Sequence, residues 1–565
     1  MRLSSDLVRT AESFRPRAAL GDLSGAHALV FELAAASSTL ERAWWYAVRT
    51  QVGACLPGMV ALPAEADLEP FVAEEPGARR VAALAAADLA RAAFLRFDRR
   101  GLERRRRLFS RLVAGCPSGE VEAAILDALG AWLGGEAPPA DLDALAARAA
   151  GAGLAGALVE ICAIRALHAL QAGEHAAGLT LARRASLMAR TEGLLDAELL
   201  ANLALVRARR YNRQAHLALR IAETLDRVAT PPWRAWLDWE RLFAGRPAMA
   251  GAAGLARPEQ APALEVAHLL LTAEAGERAL FRRQVAELRG TLAAEPLRRD
   301  AAELIAALDP AEPVATAELR AWREGASALP PAALHGLVVP SVVAGAPDSA
   351  LAGAYVLLVP GLPGVRLLRA GLALALGAGA ARVRQSRRRH GRVESLLAIL
   401  ALAGPDGLDE PGCFARAYGF GYVPAIHRGV LDVLVHRARA AVEGIASLTR
   451  ADGRLALGTS RPLLIPDPTS SRSTTDRVLR LLAERGRASA KEAAAQLGLS
   501  LRVVQGALNE LAGSHACVVE RDGRHVSYAV EDSVFSEPTG RFAAGLAALA
   551  LDPSPRPPSQ EARRA

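Results

Sequence analysis

The sequence predicts a mainly α-helical chain, with a long helical array in its N-terminal half and two small α+β units in its C-terminal part. Three observations carry this. From the start to about residue 310, Ala and Leu recur at helical spacing and are interrupted by Gly or Pro every ~15 to 20 residues, as short helical hairpins require. Two later blocks, near 385–458 and 474–532, each read as three helical segments followed by two alternating segments around Asp-Gly. The chain has 565 residues, more than one hydrophobic core fills, so three or four domains are expected.

In the array, "HAAGLTLARRA" from His175 and "RQAHLALRIAE" from Arg213 align without gaps at an offset of 38. Ala177 then lies over Ala215, Leu179 over Leu217 and Leu181 over Leu219, and "GDLSGAHALVFEL" from Gly21 shares the opening of "GEHAAGLTLA" at Gly173. Small alanines at such positions let paired helices approach closely, and the pattern resembles tetratricopeptide repeats. An irregular helical bundle fits the same periodicity. Either way the expected task of residues 1–310 is to present a surface to a protein partner or a signal. Trp233, Trp236 and Trp239 in "PPWRAWLDWERLF" fall on one helix face, a stripe expected in the core, with a peptide-binding groove as the alternative.

The 68 Arg and Lys residues exceed the 60 acids by eight, a weak preference for anionic partners when spread over so large a surface. Lys491 is the sole lysine, so the arginine richness reads as the codon bias of a GC-rich genome. Cys55, Cys116, Cys162, Cys413 and Cys517 are scattered and odd in number, matching neither a disulfide framework nor a zinc spacing. Reduced thiols, the absence of a signal-peptide pattern and a longest mid-chain apolar run of only "GLALALGAGAA" lead to the expectation of a soluble cytoplasmic protein without membrane contact.

After "ALDPAEP", residues 311–381 form a connecting segment rich in Val, Gly and Pro, with short apolar runs that suggest a small sheet. Its "VPGLPGVR" and "GAGAAR" lack GK[ST], which excludes a Walker-type nucleotide site.

Residues 382–465 begin with the basic run "RVRQSRRRHGR". A helix from Val393 to about Ala403, a second from about Asp409 to Ala417 and a third from Pro424 to about Val442 follow, then a hairpin over 448–457 that turns at Asp452-Gly453. In the third helix Val430, Leu431, Leu434, Val435 and Ala438 are expected inward, with Arg428, Asp432, His436, Arg437 and Arg439 on or near other faces. The order is that of a winged helix, and "HRGVLDVLVHRARAAV" resembles the recognition helix of OmpR-type effector domains. That resemblance implies that Arg428, His436, Arg437 and Arg439 face DNA, with Arg450 and Arg454 on the wing.

A polar linker, 466–475, precedes the second unit, 476–535. An amphipathic helix with Val478, Leu479, Leu481 and Leu482 ends at Gly486. Ser489 and Glu492 form a capping-box pattern for a short second helix, Gly498 suits a left-handed turn, and Ser500 caps a third helix. Val504, Leu508 and Leu511 are expected inward and Arg502, Gln505 and Asn509 outward; Arg, Gln and Asn are types that bond base edges in the major groove. "CVVERDGRHVSYAV" supplies a wing with Arg521, Arg524 and His525 at its tip. The unit resembles the winged helix-turn-helix of MarR- and ArsR-like bacterial regulators. Ser500, Arg502, Gln505, Asn509, Arg521, Arg524 and His525 are its candidate DNA contacts. The Pro/Arg-rich residues 536–565 read as a partly disordered tail.

No GxSxG, HExxH or paired Gly-rich phosphate loop occurs, so no enzyme, metal or cofactor is expected. The sequence thus reads as a TPR-like helical-repeat array followed by two small α+β winged-helix domains. Its expected function is that of a transcriptional regulator binding double-stranded DNA, with the array sensing a partner. The alternative is a helical-repeat scaffold whose winged helices bind protein.

Overall fold

A computed structural model describes residues 38–55, 60–139, 141–192, 194–225, 231–245, 261–275, 277–309, 312–314, 316–323, 327, 330–338, 355–361, 363–366, 380–383, 391–467, 474–514, 516–522 and 525–530. The segment from Gly21, most of the basic run, Arg524 and the tail lie outside the described residues. Within them the chain is mainly helical, with three small sheets.

The array comprises α1 (Thr39–Cys55), α2 (Glu65–Leu68), α3 (Pro76–Leu95), α4 (Arg99–Leu112), α5 (Pro117–Gly134), α6 (Leu142–Gly151), α7 (Ala155–Gln171) and α8 (His175–Thr191). It continues with α9 (Leu195–Tyr211), α10 (Ala215–Leu225), α11 (Pro231–Phe243), α12 (Ala261–Ala275), α13 (Arg278–Thr291), α14 (Glu295–Leu308), α15 (Ala317–Arg323) and α16 (His335–Val338). Consecutive helices α7, α8 and α9 pack side by side, and Ala163, Ala166, Ala182, Ala185, Ala201 and Ala204 are wholly buried between them or their neighbours. Methyl-sized side chains bring the backbones close; at Gly178 even a Cβ would lie 2.8 Å from Leu170.

The α7–α8 and α9–α10 pairs start 40 residues apart, two more than the gapless sequence alignment gives. Their turns share one geometry. Gly173 and Arg213 take left-handed φ of 86° and 61°, and each donates its N–H three residues back, to Leu170 and Arg210. Arginine adopts that conformation reluctantly, but Arg213 is tethered there by an ion pair to Glu318 and a hydrogen bond to the Pro330 carbonyl. The tryptophan stripe is core: Trp236 stacks on Phe94 at 5.4 Å and Trp239 is fully buried, while Trp233 packs half-buried.

At the centre of the array lies a buried ionic cluster that the sequence did not suggest. Arg207 and Arg210 of α9 meet Glu240 of α11 at 2.5 and 2.6 Å, and Arg210 reaches Asp300 of α14 at 2.7 Å. Tyr211 and Trp239 also donate to Asp300, and Arg210 donates to the Ala333 carbonyl. Two cations balance two carboxylates, and the extra donors satisfy the lone pairs that burial strips of water. Burial alone would raise the Asp300 carboxyl, but the two guanidiniums outweigh it and hold the group below its ordinary range.

Beyond the array, β1 (Tyr355–Leu358), β2 (Val365–Arg366) and β3 (Ala381–Arg382) precede a first α+β unit. It contains α17 (Arg392–Ala403), β4 (Leu408–Asp409), α18 (Glu410–Tyr418), α19 (Pro424–Ala441), β5 (Ser447–Ala451) and β6 (Arg454–Gly458), followed by β7 (Leu463–Pro466). One sheet has the order β4-β6-β5. The other, β2-β1-β7-β3, places β7 antiparallel to β1 and parallel to β3. α17 is buried on every side because it lies between this sheet and the helices of the unit, so the connecting segment and the first unit share a core. The β5–β6 turn has φ of 51° at Asp452 and 71° at Gly453, the double left-handed pair that a tight hairpin demands.

The second unit repeats this order with α20 (Thr474–Arg485), β8 (Arg487–Ala488), α21 (Ala490–Leu497), α22 (Leu501–Gly513), β9 (Val518–Asp522) and β10 (His525–Ala529), in a sheet ordered β8-β10-β9. It rests on the array. Leu217 of α10 is fully buried in the second unit's own core, and Arg220 donates to the Ala483 carbonyl of α20.

Candidate nucleic-acid interface

The two units share a chain order but present different chemistry. In both, the third helix packs one face on the core and turns the opposite face outward. A helix advances about 100° per residue, so the outward residues follow from the buried ones.

In α22 the buried residues are Val504, Ala507, Leu508 and Leu511. Arg502, Gln505, Gly506 and Asn509 occupy the opposite face and are exposed. None of the three polar side chains makes a hydrogen bond or ion pair among the described residues. The helix is aimed by local chemistry. Ser489 accepts from the Glu492 N–H while Glu492 accepts from the Ser489 N–H, Gly498 ends α21 at φ 61°, and the Ser500 hydroxyl accepts from the Val503 N–H. The Ser489 backbone bond, then its hydroxyl, holds the Glu492 carboxyl below its ordinary range. Ser500 is therefore a cap, with its hydroxyl turned to the first turn of α22. The acids that would weaken an anion-binding face are engaged: Glu510 accepts from Thr475, and Glu520 pairs with Arg487 at 2.7 Å. Arg521 and His525 are exposed at the paired ends of β9 and β10.

In α19 the buried residues are Leu431, Leu434, Val435 and Ala438. Val430, expected inward from its apolar character, is instead 44% exposed, because at 3.6 residues per turn it falls well off the centre of that face. The outward face is apolar: Val423, Ile426, Val430 and Val433 are 47, 70, 44 and 50% exposed, beside exposed Gly429. Sequence reasoning missed this face. The available signal was that α19 is apolar over more of its circumference than one buried stripe needs.

The first unit's predicted contacts divide accordingly. Arg428, His436 and Arg437 are exposed. Arg439 donates to the Leu448 carbonyl, tying α19 to β5, and Arg454 donates to the carbonyls of Asp406 and Gly407. Arg450 bridges Glu410 of α18 at 2.7 Å and Asp432 of α19 at 2.6 Å, and these bonds raise its guanidinium above its ordinary range. These three cations hold the unit together. At the N-terminal end of α19, His427 accepts from the Val423 N–H and stacks on Phe414 at 4.6 Å.

Among the described residues no group of three or more His, Cys, Asp or Glu side chains is placed to hold a metal ion, and no helix is long and apolar enough to cross a membrane. Comparison with known protein families, curated proteins and solved structures returned no match.

Proposed function

We propose that the chain is a DNA-binding transcriptional regulator whose second unit is a winged helix-turn-helix and reads the major groove through α22. The observation that carries this reading is the outward face of α22, where Arg502, Gln505 and Asn509 stand exposed without a hydrogen-bond or ion-pair partner among the described residues, while nearby Glu520 is paired with Arg487. Arg is the commonest partner of guanine edges, and Asn and Gln those of adenine. Glycine at 506 on the same face removes the one side chain that would hold the helix off the base edges. Arg521 and His525 on the paired strands suit phosphate or minor-groove contact. The TPR-like array, joined to this unit through Leu217 and Arg220, is the partner- or signal-sensing part. The first unit shares the winged-helix order, but its apolar outward face favours contact with protein.

The test is selection from a random duplex pool by the full-length protein at two salt concentrations. One enriched motif, with affinity falling steeply as salt rises, is the expected result. Replacing Arg502 and Gln505 by Ala should cost ~1–3 kcal/mol per base contact and relax the motif at those positions, while Arg521→Ala should weaken all sequences and flatten the salt slope by about one. A protein that enriches no sequence and shows no salt-dependent retention would overturn the reading and leave the helical-repeat scaffold in its place.

A further inference from the structure

We infer that the outward face of α19 is a self-association surface, on which two copies of this chain pair antiparallel about a two-fold axis near Gly429. The spacing of the exposed residues is the first argument. Val423, Ile426, Val430 and Val433 follow a 3-4-3 pattern, the seam of two helices crossing at a shallow angle with interdigitating side chains. An amphipathic helix needs one apolar stripe to bury in its own domain. α19 has that stripe in Leu431, Leu434, Val435 and Ala438, and the second stripe is left solvent-facing by the described residues.

Gly429 is the second argument. It lies in the middle of an 18-residue helix, is exposed, and a Cβ there would meet nothing within 4 Å, so no contact among the described residues requires glycine. Mid-helix glycine is unfavourable relative to alanine. Gly429 lies about 80° around the helix from the middle of the stripe, where the missing side chain leaves the flank of the seam open to a second backbone.

The ends of the stripe are complementary under the two-fold. Phe420, 53% exposed, stands just before the helix, and Arg437, exposed, continues the same stripe toward its other end. Antiparallel pairing that sets Ile426 against Val433 of the second copy also brings each Phe420 to the other copy's Arg437. A guanidinium over an aromatic ring is favourable, and a two-fold makes the contact twice. The exposed parts of the five apolar side chains amount to roughly 400 Å² per copy, so a pair would remove about 800 Å² of apolar surface, the apolar half of a standard interface. Arg428, Asp432 and Arg439, on the side of the helix away from the stripe, stay in solvent.

This inference does not depend on the DNA reading. The experiment is sedimentation of the full-length protein without DNA, for the wild type, Ile426→Glu/Val433→Glu, and a control outside the stripe, Arg428→Ala. A wild-type and control dimer is expected, with the double variant raising the dimer dissociation constant about 100-fold or more. Both substituted positions are solvent-exposed, and an unchanged far-ultraviolet circular dichroism spectrum verifies that the variant folds. Gly429→Cys should in addition form a disulfide-linked dimer on a non-reducing gel, where Ser460→Cys does not. A wild-type monomer at tens of micromolar, or a dimer that the stripe substitutions leave intact, would overturn the assignment. The outcome is separable from that of the pool selection: loss of DNA binding with retention of the dimer refutes only the former reading.

Discussion

Glu303 shows how one residue can set the pH response of the array. It is 6% exposed on α14, one turn from Asp300, and one of its carboxylate oxygens has no partner. Burial first, then the nearby charges of Asp300 and Glu318, push its carboxyl up to about 7, against a hydrogen bond from Thr316 and the pull of Arg210. The folded protein therefore binds this proton more tightly than the unfolded chain, whose glutamate titrates near ~4.3. Stability falls as pH rises between those two values, because the folded state then carries an ionised, poorly solvated carboxylate. Glu303→Gln removes the ionisation. The variant should match the wild type near pH 5 and exceed it near pH 8 by up to about 3 kcal/mol, read from denaturant melts at the two pH values. Equal stability of both proteins at pH 8 would show that Glu303 is not ionised against a cost in the fold. Arg210 lies deeper in the same region and has both Glu240 and Asp300 as partners, so its charge is compensated where that of Glu303 is not.

At the scale of the element, α21 and α22 are aimed by caps. Ser489→Ala removes the hydroxyl that accepts from the Glu492 N–H and should cost about 1 kcal/mol. The loss should appear as faster hydrogen exchange in residues 489–497, with the amides of α17 unchanged; unchanged exchange in 489–497 would mean that packing of Ala493 and Ala494 alone fixes this helix. The same locality explains what could be read in the sequence. Ser489 with Glu492, left-handed Gly498, Ser500 and the inward set Val504, Leu508 and Leu511 are cues within a few residues of what they determine, and each lies where the spacing puts it. The ionic cluster is not legible because each arginine, Arg207 or Arg210, lies 30 to 93 residues from its carboxylate partners Glu240 and Asp300, and arginines at helical spacing look like a solvated face until the partner helices are placed. The outward stripe of α19 was misread for a related reason. Apolar periodicity marks a face as apolar without saying which of two faces turns inward, so Val430 was grouped with Leu431 and Leu434. Strand β7 pairs with β1 more than a hundred residues earlier, and nothing local announces such a partner.

Across the whole molecule, the contact between array and second unit is where the proposed sensing and reading roles would be coupled. Leu217 leaves the core of its own array to fill that of the second unit, and Arg220 from the next turn holds the Ala483 carbonyl near the end of α20. α20 packs against α22, so a shift of α10 has a short mechanical route to the outward face carrying Arg502. A contact of this kind transmits a signal only if it has a second arrangement that differs in free energy by an amount a partner can supply. Leu217→Asp tests whether the contact is held. Burying a carboxylate among Val478, Leu482 and Leu508 is strongly unfavourable, so the second unit should undock while its own helices persist. Hydrogen exchange should then rise in residues 474–486 and 215–225 and stay unchanged in 392–458. Limited proteolysis should cut between residues 467 and 474 sooner than in the wild type. If exchange at 474–486 does not change, Leu217 is not what joins the units, and the array must influence α22 through the first unit or not at all. If docking restrains the DNA-reading helix, Leu217→Asp should also alter affinity for the selected motif without changing which bases it prefers, since Arg502, Gln505 and Asn509 are untouched. A changed motif would instead mean that the array helps to set the orientation of α22, and the signal would act on which sites are read rather than on how tightly.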